Sequence, residues 1–413
     1  MKSQEHIGVF HPGTQHSWQT AYAFQEVGAL RWYATSVFYD PGKWPYRVES
    51  VMPGWLAHRI HNEFARRSWA ALDVQKVRQL GVAEWIEAGL YRLRLRSAAN
   101  AVNRMGNASF GAKIIKLIEK EPVSIIWGYG SSSLEVFRWA KKRGIRCILD
   151  QTIGHSKTEN EIMREEKEKN SEYFLDSFQF FDEEWINRQN EELALADRVI
   201  VGSEYCANTL VANGCERRKI VVVPYGYDEK YFPSIKPPRS PIKNRQTKLL
   251  FVGQLTPRKG IAYLLKAYSR IKSGKAELSL VGRLDMPDKV FRKSAGNAAY
   301  AGQVPRSEVK KHFLQADLFV FPSLFEGGGI VLYEANGAGL GIIQTERCGD
   351  GVRKAESGIV LKEISVDSVQ EAIEYAVSNP DWIESAQEYA WRSREQRTWQ
   401  EYRNTIRQEL MPL

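Results

Sequence analysis

Apolar residues in this chain gather in short runs, and the stretches between the runs often carry a helical spacing. In the first half the runs fall at residues 7–10, 123–127, 147–149, 199–201 and 220–223. In the second half they fall at 249–252, 277–281, 318–321, 341–344 and 359–361. Runs this short, rich in Val, Ile, Leu and Phe, predict buried strands. After the first run of the second half, Ile261, Leu264, Leu265, Tyr268 and Ile271 recur at the helical period, which predicts a helix with one buried face. Strands alternating with helices in both halves predict an α/β protein with two doubly wound, Rossmann-like parallel sheets. Residues 233–247 lie between them; this segment is rich in proline and charge, lacks apolar periodicity and reads as a linker. A chain of 413 residues also exceeds what one hydrophobic core usually organises. The expected domains are 1–232 and 248–390, followed by a helical closing segment at 391–413.

Two places in the second half carry candidate chemistry. Around the run at 318–321, Pro322 and Ser323 end the strand, Glu326 is followed by Gly327, Gly328 and Gly329, and Ile330 to Ala335 reads as the start of a helix bearing Glu334. A strand–turn–helix of this kind presents unpaired N–H groups at a helix start, where phosphate or sugar oxygens dock. A carboxylate in the turn can accept bonds from sugar hydroxyls, and one two turns along the helix can accept from a ribose diol. The competing reading makes Glu326 a helix cap and Glu334 a solvated side chain. Upstream, Arg258 and Lys259 sit directly before a predicted helix. Two cations there oppose the helix dipole, and a bound anion would resolve the conflict. A diphosphate suits them, with Arg258 as a planar fork and Lys259 as a point charge. Ligands of doubly wound sheets lie beyond the carboxyl ends of the strands, so the active site is expected between the two domains.

These motifs resemble the retaining glycosyltransferases of family 4, the glycosyl transferases group 1. The resemblance rests on residues 249–259, the spacing of Glu326 and Glu334, and the segments 196–203, 219–228, 278–283, 300–304 and 316–323, all in the order found in the family. It runs from about residue 192 to 343. It implies a GT-B fold, two Rossmann-like domains facing across a cleft, whose terminal helix crosses back to the first domain. It also implies a retaining, metal-independent, hexosyltransferase-type enzyme that moves a sugar from a nucleotide-sugar donor to a glycan or lipid-linked acceptor, in the setting of bacterial surface polysaccharide or glycolipid assembly. Donor contacts are carried over to Gly13, Arg258, Lys259, Val304, Glu326, Gly327, Gly328, Gly329 and Glu334. His155, Glu326, Arg258 and Lys259 take the catalytic positions. Family members place a histidine at the end of an N-domain strand; His155 matches that region a few residues late, and Asp150 is the alternative. His11 and His16 flank Gly13, which lies where the family has its glycine loop. Gly328 stands where an aromatic residue is usual, and the proline common before the run at 341–344 is absent. No cofactor is implied, and no Asp-x-Asp motif is present to hold a metal. Rival readings are another GT-B enzyme, such as a sugar-nucleotide epimerase or a phosphorylase, and a non-catalytic nucleotide-sugar-binding subunit.

Charge adds a suggestion about partners. The chain carries a formal net charge of +9. Residues 51–150 hold 17 Lys/Arg against 8 Asp/Glu, whereas residues 151–200 hold 6 against 13. Within an expected basic helical excursion at 51–120, Trp55, Trp69, Trp85 and Tyr91 are interleaved with arginines. That mixture suits an anionic membrane surface and a lipid-diphosphate-linked acceptor. The competing reading is an amphipathic excursion packed on the N-terminal domain. No motif accompanies the basic patch that would favour nucleic acid. The acidic run from Glu159 to Glu172 reads as a solvated helix face or a mobile loop. Cys147, Cys206, Cys215 and Cys348 show no metal-ligand or redox spacing and read as reduced thiols. With no signal-peptide run and no stretch of ~18 apolar residues, the expected location is the cytoplasm or the cytoplasmic face of a membrane.

Overall fold

The computed structural model describes residues 6–13, 15–40, 54, 69, 71–81, 109–236, 240–243 and 245–410. Most of the basic excursion at 51–120, including Trp55, Trp85 and Tyr91, lies outside the described residues, as do parts of the linker.

Among the described residues, thirteen strands form two sheets. The first contains β1 (Ile7–Phe10), β2 (Leu30–Thr35), β3 (Val77–Gln79), β4 (Ile125–Tyr129), β5 (Arg146–Gln151), β6 (Arg198–Val201) and β7 (Ile220–Val222), in the order β3-β2-β1-β4-β5-β6-β7. The second contains β8 (Thr247–Val252), β9 (Ala276–Val281), β10 (Ala299–Gly302), β11 (Leu318–Phe321), β12 (Gly341–Thr345) and β13 (Gly358–Leu361), in the order β10-β9-β8-β11-β12-β13. The described pairings are parallel. Each sheet grows outward from its first strand in one direction and then reverses, which makes β1/β4 and β8/β11 the switch points. The chain therefore has the GT-B type of fold, two doubly wound parallel-sheet domains.

Burial explains why the central strands were legible and three others were not. Every residue of β11 is buried, as parallel strands covered on both faces require. The pattern of apolar runs does not mark β2, β3 or β10. Exposed Arg31 interrupts β2, β3 is a three-residue edge strand, and β10 is an edge strand exposed along most of its length.

Two compact units emerge from the contacts. One comprises residues 1–150, 187–200 and 403–413; the other comprises 151–186 and 201–402. In the first unit Trp127 packs edge-on against Phe24 at 5.5 Å, and the buried Trp32 indole donates to Glu121 O at 3.1 Å. The last helix, Trp399–Leu410, reaches this unit through Arg403, which donates to Gln19 at 2.7 Å and lies 3.2 Å from Glu26. Arg407 adds a 2.7 Å bond to the same glutamate. In the second unit Phe313, Phe319, Phe321 and Phe251 form a chain of ring contacts along the sheet.

Candidate active site

The second switch point is built by two loops stitched together. After β8 the chain makes a single 3-10 turn, Pro257–Lys259, whose Thr256 hydroxyl accepts from Arg258 N at 3.2 Å. Gly260 then takes φ 69°, and a Cβ there would lie 1.9 Å from Pro322 O. Only glycine permits both the left-handed turn and this approach to the segment after β11. Two further bonds fix that approach: Leu324 N and the Ser323 hydroxyl donate to Arg258 O at 2.9 and 3.1 Å.

This stitching brings Arg258, Lys259 and Glu326 together. Lys259 Nζ forms a close ion pair with Glu326 Oε1, which also accepts from Ser323 Oγ at 2.8 Å. Arg258 Nη1 donates to Phe325 O at 2.7 Å and lies 3.5 Å from Glu326 Oε1. Its Nε lies 3.7 Å from Glu159 Oε1. Burial pushes the Glu326 carboxyl up, but Lys259, Arg258 and Ser323 together outweigh it and hold the group below the usual carboxylate range. Lys259 is lowered by burial, against the attraction of Glu326. Glu159 is raised by burial, with Arg258 opposing.

The glycine turn is packed rather than loose. A Cβ on Gly327 would lie 1.8 Å from Thr152 O, and one on Gly328 would lie 2.8 Å from the Tyr225 ring. The space that a side chain at 328 would use is filled by Tyr225. Gly329 begins the helix Ile330–Gly337, whose Glu334 lies 3.4 Å from Arg306 Nη2. Burial raises the Glu334 carboxyl, with Arg306 opposing. The carboxyl ends of β8, β9 and β10 line an open pocket of about 230 Å³. Val252, Val281, Val304 and Val309 give it apolar walls, and Gln254 and Arg283 add polar groups.

The remaining candidates divide between the units. His155 belongs with the cationic turn in the second unit; it is buried and caps the helix Ser156–Lys169, its Nδ1 accepting from Lys157 N at 3.2 Å. Its own N–H donates to Thr209 Oγ1 at 3.0 Å. Gly13, His11, His16 and Asp150 belong to the first unit. Gly13 O accepts from Thr35 Oγ1 at 3.2 Å, and His16 Nε2 lies 3.0 Å from Asp150 Oδ2 with both side chains buried. His11 meets Tyr129 edge-on at 4.7 Å, and burial lowers its pKa to about 4.

One expectation is corrected here. The acidic run does not form a purely solvated face, because Glu166 is 3% exposed and accepts from Asn170 at 2.9 Å and from Tyr263 at 2.7 Å. Glu159, seven residues earlier on the same helix, faces Arg258. A signal was available: Glu159, Asn160, Met163 and Glu166 share one helical stripe, and the buried Met163 marks it as the inward side. The contacts of Arg306 with Glu334 and of Tyr225 with Gly328 were also missed, because each joins residues well apart in sequence, whereas Ser323, three residues before Glu326, was near enough to be read as its donor.

Two doubly wound sheets, with charged loops at the second switch point, define the chain as a GT-B protein. Residues 234–396 match the family model of the glycosyl transferases group 1. An uncharacterised glycosyltransferase of Methanocaldococcus jannaschii is 30% identical over 149 residues, 34% of this chain and 38% of that protein. Lipopolysaccharide glucosyltransferase WaaG of Escherichia coli K12 is 30% identical over 197 residues, 42% of this chain and 52% of WaaG. The matches thus span between about two fifths and half of these relatives' own length. Among solved structures, HepE of Anabaena in complex with UDP aligns over 99% of this chain and 100% of its own, with a TM-score of 0.63 and 12% identity. At that identity the likeness is one of fold.

Proposed function

We propose that this protein is a retaining, metal-independent glycosyltransferase of family 4. It moves a sugar from a nucleotide-sugar donor to a glycan or lipid-diphosphate-linked acceptor in the synthesis of bacterial surface polysaccharide or glycolipid. The observation that carries the reading is the meeting of Arg258, Lys259 and Glu326 at the switch point of the second sheet. Ligands of doubly wound sheets bind there, and this switch point adjoins a cavity lined by Val304. The group 1 match, and the UDP and UDP-glucose named with the HepE structures, favour the same donor class.

In this reading the nucleotide end enters the valine-walled cavity, and Glu334 accepts the ribose diol. The diphosphate lies against Arg258, Lys259 and the N–H groups of Gly327 to Gly329. Breaking the sugar–phosphate bond places charge on the departing diphosphate, and fixed donors and cations stabilise that charge most effectively from within a buried site. Glu326 holds donor-sugar hydroxyls, and His155, in the same unit, holds the sugar near the reaction centre. The acceptor hydroxyl enters on the face from which the phosphate departs, and a phosphate oxygen takes its proton. This differs from the glycosidase scheme, in which paired carboxyl groups flank the bond. The enzyme works at the cytoplasmic side, with the basic residues of 51–120 offered to an anionic membrane. No described helix is long and apolar enough to cross one.

Thermal shift against a panel of UDP-, GDP-, ADP- and dTDP-sugars tests the donor site. A ligand at about 100 times its dissociation constant adds about 2.7 kcal/mol. One donor should stabilise the protein, and Lys259→Ala and Glu334→Ala should each lose that shift. A protein that no sugar nucleotide stabilises would end this reading.

A further inference from the structure

Arg258 is offered to a diphosphate in the reading above, yet its guanidinium already has partners. Nη1 is engaged by Phe325 O and lies near Glu326, and Nε lies 3.7 Å from Glu159 Oε1. Lys259 is paired with Glu326. Two cations therefore face two carboxylates, and the side chains of the carboxylates are only 14% exposed at Glu159 and 8% at Glu326. The group is balanced before a ligand arrives. A diphosphate adds further negative charge beside both carboxylates, and repulsion between like charges is strong where water is largely excluded.

One carboxylate has to yield, and their anchoring decides which. Glu326 is fixed by the Lys259 ion pair and the Ser323 hydroxyl, which both favour its anion. Among the described residues no hydrogen bond reaches the Glu159 carboxylate; it is held by charge alone. The charged and titratable groups facing it are Arg258 and Lys259 from the turn after β8, Glu326 from the glycine turn, and Tyr205 from the helix Glu204–Ala212. The two cations keep a proton off Glu159, whereas Glu326 and burial draw one on, and burial is the largest influence.

We propose that Glu159 is the counterion that Arg258 exchanges for the donor's diphosphate. With the site empty the carboxylate balances the guanidinium. As the diphosphate arrives, Glu159 takes one proton from solvent and frees the Nε edge. Glu159 is thus a positioning residue acting through Arg258, and the proposal rests on the donor-site reading above.

Proton uptake on binding means that affinity falls as pH rises. The window opens above the pKa of Glu159 in the empty site and closes at its higher value in the complex. The test is calorimetry of UDP, GDP and inorganic pyrophosphate binding to the full chain, in two buffers of different ionisation enthalpy, from mildly acidic to mildly basic pH. Wild type should take up close to one more proton per ligand than Glu159→Gln. The variant should bind more tightly at the basic end, by up to about tenfold for each pH unit of the window. Titration of the ligand's own phosphates is common to both proteins and cancels. Equal uptake in the two proteins overturns the role of Glu159 while leaving the donor site standing. If the variant does not fold, wild type alone decides: uptake no greater than the free ligand's phosphates account for overturns the proposal. A wild type that binds none of the three probes removes the donor site, and this proposal with it.

Discussion

The two sheets have the same strand order up to their sixth strand, so the helix that follows β4 corresponds to the helix that follows β11. Their N-termini are treated in opposite ways. At the helix Leu134–Lys141, Glu192 reaches in from another helix, and its carboxylate accepts from Ser131 N, Ser133 N and Leu134 N at 2.7, 2.8 and 3.0 Å. At the helix Ile330–Gly337 no side chain of the N-cap residue bonds the first turn, and three glycines precede it. A helix N-terminus suits an anion in either place. In the first unit a glutamate from another helix fills the place; in the second the place is left to glycines, next to a turn in which Arg258 and Lys259 face Glu326. Equivalent topology therefore yields a plugged site and a candidate phosphate site, which is why the function has to be argued from residues rather than from the fold.

The largest expected effect breaks the charged side of this comparison. Lys259→Met leaves Glu326 buried without its nearest cation, and the expected cost is about 3–5 kcal/mol in urea denaturation. Adding Glu326→Gln should recover much of that loss. If the two substitutions are instead additive, the pair does not act as a unit.

Next comes the plugged side. Burial raises Glu192 to about 7, with three backbone N–H groups opposing. The folded protein then holds a proton that the unfolded chain has released, so this group's contribution to stability falls as pH rises from about 4.5 to about 7. Across that window the change is on the order of a few kcal/mol. Stability curves of wild type and Glu192→Gln should converge in slope only outside it. Parallel slopes inside the window would show that Glu192 stays ionised throughout.

The smallest effect concerns His11 at the first switch point. Its folded pKa lies below the ordinary value, at about 4, so the unfolded chain takes up a proton that the folded protein refuses. Stability is lost as pH falls from about 6.5 to about 4, at no more than roughly 1.4 kcal/mol per pH unit. His11→Phe keeps the edge contact with Tyr129 and removes Nδ1, which is buried with no hydrogen-bond partner of normal geometry among the described residues. Its melting temperature should exceed that of wild type at mildly acidic pH, and a lower one would show that the ring nitrogen has a structural partner after all.

Much of this could be read from the chain itself. Central strands such as β8 and β11 are buried on both faces, so their apolar runs stand out, and the glycine turn and basic pair are contiguous motifs. What stayed hidden depends on distance in sequence. Glu159 meets Arg258 across about a hundred residues, and Glu192 meets the turn after β4 across about sixty. In each case the local segment looks like a charged helix surface, because a carboxylate's burial is decided by what folds against it. Edge strands β3 and β10 were hidden for a related reason. One face or edge meets water, and the apolar run that would announce a strand is absent.

Tyr225 carries a last consequence. At position 328 the resemblance leads one to expect an aromatic side chain, and this chain has glycine. Yet an aromatic ring occupies that volume, delivered by a segment about a hundred residues earlier and pressed against the glycine backbone. A side chain at 328 is therefore admitted only if the ring at 225 gives way, so two positions far apart in the chain constrain each other's size through a single shared volume.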